Sequence, residues 1–214
     1  MRNLPPMGGK TLRARQAEST RQLLVATARE LFTERGYTGT SIEEIVQRAG
    51  VARGALYHHF IGKDALFRAV YEDVQAEVSS TVMAAALAAG EPWAAVRAGL
   101  GAFLDACLTP TFRRVVVLDS VHVLQQEGWE GGDEPVELPM LRGSLAPLVA
   151  AGLLPGIALD ALAYVTLGGL YGAALFIARA DQPRAARDEV DTVVDALIDG
   201  LRARIDAARS SRRA

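Results

Sequence analysis

The sequence predicts an all-α fold of about nine helices, a small N-terminal helix-turn-helix unit followed by a larger helical domain. Three observations carry this. Apolar residues recur at helical spacing in almost every segment, no alternating strand pattern with hairpin turns stands out, and Gly or Pro signals punctuate the segments. The 214 residues, half of them hydrophobic, suit one large domain or a small one joined to a larger one, with a core that needs neither disulfide nor metal.

The elements follow in chain order. From Ser19 to Arg35, STRQLLVATARELFTER places Leu24, Ala28, Leu31 and Phe32 on one face, and Gly36 stops the helix. YTGT leads into a second helix, for which Thr40 is the expected N-cap and Glu43, three residues on, closes a capping box. Ile42, Ile45, Val46 and Ala49 form its inner face before Gly50 ends it. A third, short helix runs from about Arg53 to Phe60, and a fourth from Gly62-Lys63-Asp64 as far as Ala89.

Gly90 to Pro92 is the clearest break, with a helix after it to about Leu108. Thr109-Pro110 starts another that reaches about Gln126, and Glu127 to Pro135 is a turn-rich loop. One helix then ends near Ala151, and two long ones close the chain, about Ala158 to Ala180 and about Arg184 to Ala208. The expected organisation is a flexible basic arm (1–17), a helix-turn-helix domain (18–62), a helical domain (63–208) entered through a connecting helix (63–89), and a tail (209–214).

Charge is unevenly spread. Up to Lys63 there are ten Lys/Arg against five Asp/Glu, and from Asp64 onward thirteen against twenty. A basic front on a chain of net charge −2 points a polyanionic partner at the N-terminal part. The single cysteine, Cys107, lies in an apolar run; a lone thiol predicts a buried small hydrophobe in a reducing, cytoplasmic compartment. MRNLPPMGGKTLRAR lacks the apolar core of a signal peptide and offers Lys10, Arg13 and Arg15 near its end. Ala161 to Ala178 is free of charge over eighteen residues and contains Gly168 and Gly172, so a membrane span has to be weighed. Its many Ala and Gly residues and the missing Trp anchors favour a buried helix at a subunit contact, with no membrane partner.

SIEEIVQRAGVARGALYHHFIGKDAL carries the chemistry. Two short helices joined by Ala49-Gly50-Val51 outline a helix-turn-helix, whose second helix enters the major groove while the first lies across phosphates. Val51, Leu56 and Phe60 can hold the short helix inward, which leaves Arg53, Gly54, Tyr57, His58 and His59 on its outward faces. Arg53 can reach a guanine edge or a phosphate, Gly54 permits close backbone approach, and Tyr57 and His59 are flat donors suited to phosphates or a thymine methyl. Lys63 opens the next helix, where a phosphate is also favoured. The adjacent His58 and His59 diverge by about 100° around the helix and do not converge on one ion, and the third histidine, His122, is remote. No metal or other cofactor is expected. G-x-S-x-G, P-loop and dinucleotide fingerprints are absent from the sequence, and no enzymatic role is expected.

GYTGTSIEEIVQRAGVARGALYHHFIGKDAL closely resembles the DNA-binding domain of the TetR family of bacterial transcriptional repressors. The matched features are Gly36-Tyr37, Thr40-Ser41, the AGV turn, G-x-LYHHF and Lys63 before an apolar helix, and the resemblance covers roughly the first 75 residues. It implies that Thr40 and Ser41 touch phosphates and that Arg53, Gly54, Tyr57, His58, His59 and Lys63 lie at or near the DNA. Ala52 stands where the family often has Ser or Thr, so a helix cap is missing.

A useful site on DNA needs two copies about a two-fold axis. The seam is expected on the last two helices, at Leu167, Gly168, Tyr171, Gly172 and Leu175 of the first and Val190, Val193, Val194, Leu197, Ile198 and Leu201 of the second, as a four-helix bundle like the family's. The middle helices would enclose a site for a largely apolar small ligand, with Phe103, Phe112, Val116, His122, Trp129, Tyr164 and Tyr171 as candidate lining. The expected function is a ligand-responsive regulator, a homodimeric repressor released from a palindromic operator by its ligand. A second reading keeps DNA binding but gives the C-terminal domain only dimerisation or a protein partner, and a third makes Ala161 to Ala178 a membrane anchor.

Overall fold

A computed structural model describes residues 12–120, 123 and 137–211, and among these every regular element is a helix. They are α1 (Leu12–Arg35), α2 (Ile42–Ala49), α3 (Arg53–His59), α4 (Gly62–Ala89), α5 (Pro92–Ala106), α6 (Phe112–Asp119), α7 (Leu138–Ala150), α8 (Leu159–Arg179) and α9 (Pro183–Ser211). The expected all-α class is what the chain adopts. The expected positions of His122 and Trp129, the loop around them, and most of the N-terminal arm lie outside the described residues.

Two differences from the expected helices have local causes. The first helix starts at Leu12 rather than Ser19, because LRARQAE is composed of good helix formers and is bonded onward, Thr20 Oγ1 to Gln16 O at 3.0 Å and Gln22 Nε2 to Glu18 Oε1 at 3.1 Å. The segment after Thr109 is wound as a π-helix over Phe112–Asp119. Its wider turn brings residues five apart into line, and Arg114 Nε reaches Asp119 Oδ2 at 3.3 Å.

The chain forms two compact units, residues 1–71 and 72–214, with α4 running through the boundary. In the first, α1, α2, α3 and the start of α4 bury Leu24, Ala28, Leu31, Phe32, Ile45, Leu56, Phe60, Leu66, Phe67 and Val70. Phe32, Tyr37 and Phe67 meet edge to face or tilted at 5.2–6.0 Å between centroids, a geometry that favours aromatic pairs over simple burial.

In the second unit, Trp93 of α5, the four leucines of α7 (Leu138, Leu141, Leu145, Leu148), Ala163 and Leu167 of α8, and Ile198 and Ile205 of α9 form the core. Gly99 of α5 packs on α4, where a Cβ would sit in ordinary contact, 3.5 Å from Val82 Cγ1. Polar pairs edge the α5–α9 contact: Arg187, held by Asp191 of its own helix at 2.9 Å, joins Asp105 at 3.0 Å, and Arg97 joins Asp195 and Asp199. Burial pushes the Cys107 thiol up to about 12, so it stays protonated and inert at neutral pH.

Candidate nucleic-acid interface

Each part of the surface around α2 and α3 is set by local sequence. Gly36 and Gly50 take φ of 73° and 67°, the left-handed backbone that ends α1 and α2 and that other residues enter at a cost. The cap of α2 is Ser41 rather than the expected Thr40. Glu44 N donates to Ser41 Oγ at 3.2 Å, while Ser41 N and Oγ both donate to Glu44 Oε2 at 2.9 Å, so the capping box lies one residue later than expected. The reason is tertiary: Thr40 is buried, and its hydroxyl donates to Gly36 O at 2.8 Å and Leu31 O at 3.3 Å. Its side chain therefore faces the protein, and Ser41 alone of the pair offers a hydroxyl at the surface.

The Ser41 backbone N–H, its hydroxyl and then Arg35 hold the Glu44 carboxyl below its ordinary pKa. A lowered carboxylate contributes stability above its ordinary pKa and loses it as pH falls through the folded value. The capping box is thus intact at neutral pH. The start of α3 differs, because Ala52 has the backbone of an N-cap but makes no side-chain bond. Ser41→Ala is expected to lower unfolding free energy by about 0.5–2 kcal/mol, and Ala52→Ser to raise it by a similar amount. Shifts of the urea midpoint at constant slope check both.

Leu56 and Phe60 anchor α3 in the core, so Arg53, Gly54, Tyr57 and His58 are exposed and His59 is half-buried. A helical stripe of three polar side chains and a glycine thus faces outward. A Cβ on Gly54 would meet nothing within 4 Å, so the free protein leaves that surface open. The His58 and His59 rings stand edge to face at 5.2 Å. Lys63 has a partly internal role: its Nζ donates to Tyr37 O at 2.9 Å and Thr40 O at 3.1 Å and lies 4.0 Å from the Tyr37 ring centroid. Burial lowers its pKa below the usual lysine value. Tyr37 in turn donates to Asp64 Oδ1, so the α1–α2 loop is tied to the first turn of α4.

The N-terminus of α2, Thr38, Ser41, Glu43, Arg53 and Lys63 line one open concavity. The first N–H groups of a helix have no intrahelical acceptor and favour an anion, and two cations stand beside them. Glu43 was not among the expected site residues. It pairs with Arg53 across ten residues and a turn, a separation with no signature along the chain.

Of the expected ligand lining, the described residues differ in burial. The Phe103 and Phe112 rings pack edge to face at 5.8 Å, and Phe112 and Val116 are buried. Tyr164 and Tyr171 instead lie 52% and 44% exposed on α8. The expected seam residues also divide. Leu167 and Ile198 belong to the core of their own unit, Leu175, Val190, Val194 and Leu201 are half-buried, and Gly168, Tyr171, Gly172, Val193 and Leu197 are exposed. Val165 and Phe176, not expected at the seam, extend the exposed apolar surface of α8.

Comparison with known proteins gives family matches in both parts of the chain. Residues 24–70 match the sequence model of bacterial regulatory proteins of the tetR family, and residues 93–201 that of the tetracyclin repressor-like C-terminal domain. The HTH-type transcriptional regulator AcrR of Shigella flexneri is 33% identical over 103 residues, 48% of this chain and 48% of that protein. The transposon Tn10 TetC protein of Escherichia coli is 46% identical over 66 residues, 31% of this chain and 34% of that protein. The chain thus spans about half or less of the length of these curated relatives. A crystal structure of a TetR-family transcriptional regulator from Pectobacterium atrosepticum superposes with a TM-score of 0.75 at 31% identity, covering 87% of this chain and 96% of that one.

Proposed function

Since the chain belongs to the tetR family of bacterial regulatory proteins, we propose that it is a cytoplasmic transcriptional regulator that binds a palindromic operator as a homodimer and is released by a small apolar ligand. The observation that carries the DNA-binding part is the outward stripe Arg53, Gly54, Tyr57 and His58 on a short helix whose other side is anchored by Leu56 and Phe60. The first N–H groups of α2 and the third N–H of Lys63 supply phosphate contacts, bordered by Ser41, whose hydroxyl donates to Glu44, and by His59. Thr40 acts through the loop that it holds. The exposed apolar faces of α8 and α9 support the homodimer. Two copies then present two α3 helices to successive major grooves, about 34–36 Å apart.

Release works by population shift. The ligand favours a state of the dimer whose two α3 helices no longer match that spacing, and α4, continuous from one unit into the next, is the element that carries the change. By linkage, DNA weakens ligand binding by the same factor. The second reading, in which the C-terminal unit only dimerises or takes a protein partner, is favoured by one observation: Tyr164 and Tyr171, two of the expected lining residues, are exposed. No enzymatic activity, metal or cofactor is proposed.

Selection of genomic DNA fragments by the purified protein tests the regulator reading, with Tyr57→Ala as control. The expected result is an inverted repeat recovered by the parent protein and not by the variant. Recovery of nothing at low salt would remove the reading. Compounds that raise the melting temperature are expected to lower affinity for the recovered site; a panel that moves one without the other would leave the second reading standing.

A further inference from the structure

We infer that Glu43 is a specificity-determining residue: its carboxylate, together with the Tyr57 hydroxyl, holds the Arg53 guanidinium in the orientation that reads a guanine in the major groove. The inference rests on the DNA-binding reading above and adds a residue and a base to it.

Arg53 is the first residue of α3 and its side chain is 59% exposed, yet three contacts restrain it. Nη1 lies 2.5 Å from Glu43 Oε1, Nη2 donates to the Tyr57 hydroxyl at 3.3 Å, and Cζ stands 5.5 Å from the Tyr57 ring centroid. An arginine has five N–H donors in a planar fork, and two are used here. Each terminal nitrogen keeps one N–H, and O6 and N7 of guanine accept the two that a bidentate contact needs. A free arginine samples many rotamers and would lose that freedom on binding. The contacts with Glu43 and Tyr57 impose the loss before DNA arrives, which favours recognition without adding a contact to DNA.

The location of Glu43 argues against a stability device. Its side chain is 61% exposed, and ion pairs at such exposure contribute little to folding. It also lies in the concavity with Ser41, Arg53 and Lys63, where a carboxylate opposes any approaching phosphate. A negative charge there lowers affinity for DNA in general. It is accounted for if its effect on Arg53 raises affinity for one sequence in particular, so specific and general binding should respond to its removal with opposite sign.

The test is selection from a random duplex pool with the full chain and with Glu43→Ala, Arg53→Ala and the double variant. The parent is expected to prefer guanine at one symmetric position in each half-site. Arg53→Ala should erase that preference alone. Glu43→Ala should weaken it about tenfold while tightening binding to unrelated duplex at low salt, and the double variant should match Arg53→Ala in base preference. A mere loosening of α2 would weaken all positions together and would not spare the rest of the site. Unchanged base preference in Glu43→Ala, or an Arg53→Ala profile identical to the parent's, overturns the inference while DNA binding stands. A parent protein that selects no sequence removes the DNA-binding reading itself, and the inference with it.

Discussion

Replacing Val165 and Leu197 together by aspartate is expected to give a monomer that keeps its helical content and binds operator DNA at least about a hundredfold more weakly. Val165 is 74% exposed and Leu197 69%, so a single protomer has little packing there to lose. Surface substitutions of that kind usually change stability by within about 0.5 kcal/mol. In a two-fold dimer each change occurs twice, and four carboxylates would be brought into an apolar seam without partners, a desolvation that the assembly cannot offset. The DNA loss follows because one α3 helix covers only a few base pairs, and coupling two of them raises the effective concentration of the second. Sedimentation and DNA titration on the same samples check both parts. A variant that remains dimeric with full DNA affinity would show that this face of α8 and α9 covers something other than a second copy.

Gly54→Leu is expected to raise the melting temperature and to abolish specific DNA binding. In a helix interior glycine is about 0.8–1.0 kcal/mol worse than alanine, with leucine close to alanine, and part of that difference is expected at Gly54, the second residue of α3. Gly54 is exposed, and a Cβ there would meet nothing within 4 Å, so the larger side chain finds open space in the free protein. The same side chain stands in the middle of the stripe proposed to face the groove, between Arg53 and Tyr57. It would hold α3 away from the base edges and separate every contact on that face at once. Opposite signs on stability and binding distinguish a missing side chain that DNA requires from one that is merely tolerated. Equal DNA affinity in the variant would place the interface elsewhere.

Much of this was legible along the chain because it depends on short-range physics. The helical period, Gly36 and Gly50 as stops, the break at Gly90 to Pro92, and the inward Leu56 of α3 and Phe60 just past its end each follow from one helix considered with its neighbours in sequence. The outward stripe from Arg53 to His58 followed from the same argument, since a short helix with two apolar anchors has its remaining side determined.

Other features required contacts between distant residues. Thr40 and Ser41 are both residue types that cap helices; burial of the Thr40 hydroxyl against Gly36 O and Leu31 O left the role to Ser41. Lys63 reads as a surface cation, but its neighbours at Tyr37 O and Thr40 O make it part of the scaffold. Helix α8 is apolar almost all round, so periodicity could not say which side meets the core; packing turned Leu167 inward and left Val165 and Phe176 outside. Composition and spacing therefore carried the helices and the recognition stripe, which arise from residues within a turn or two of each other. The direction of each two-sided helix, and the pairing of Glu43 with Arg53, arise only when the chain folds back, because they depend on which surfaces compete for burial.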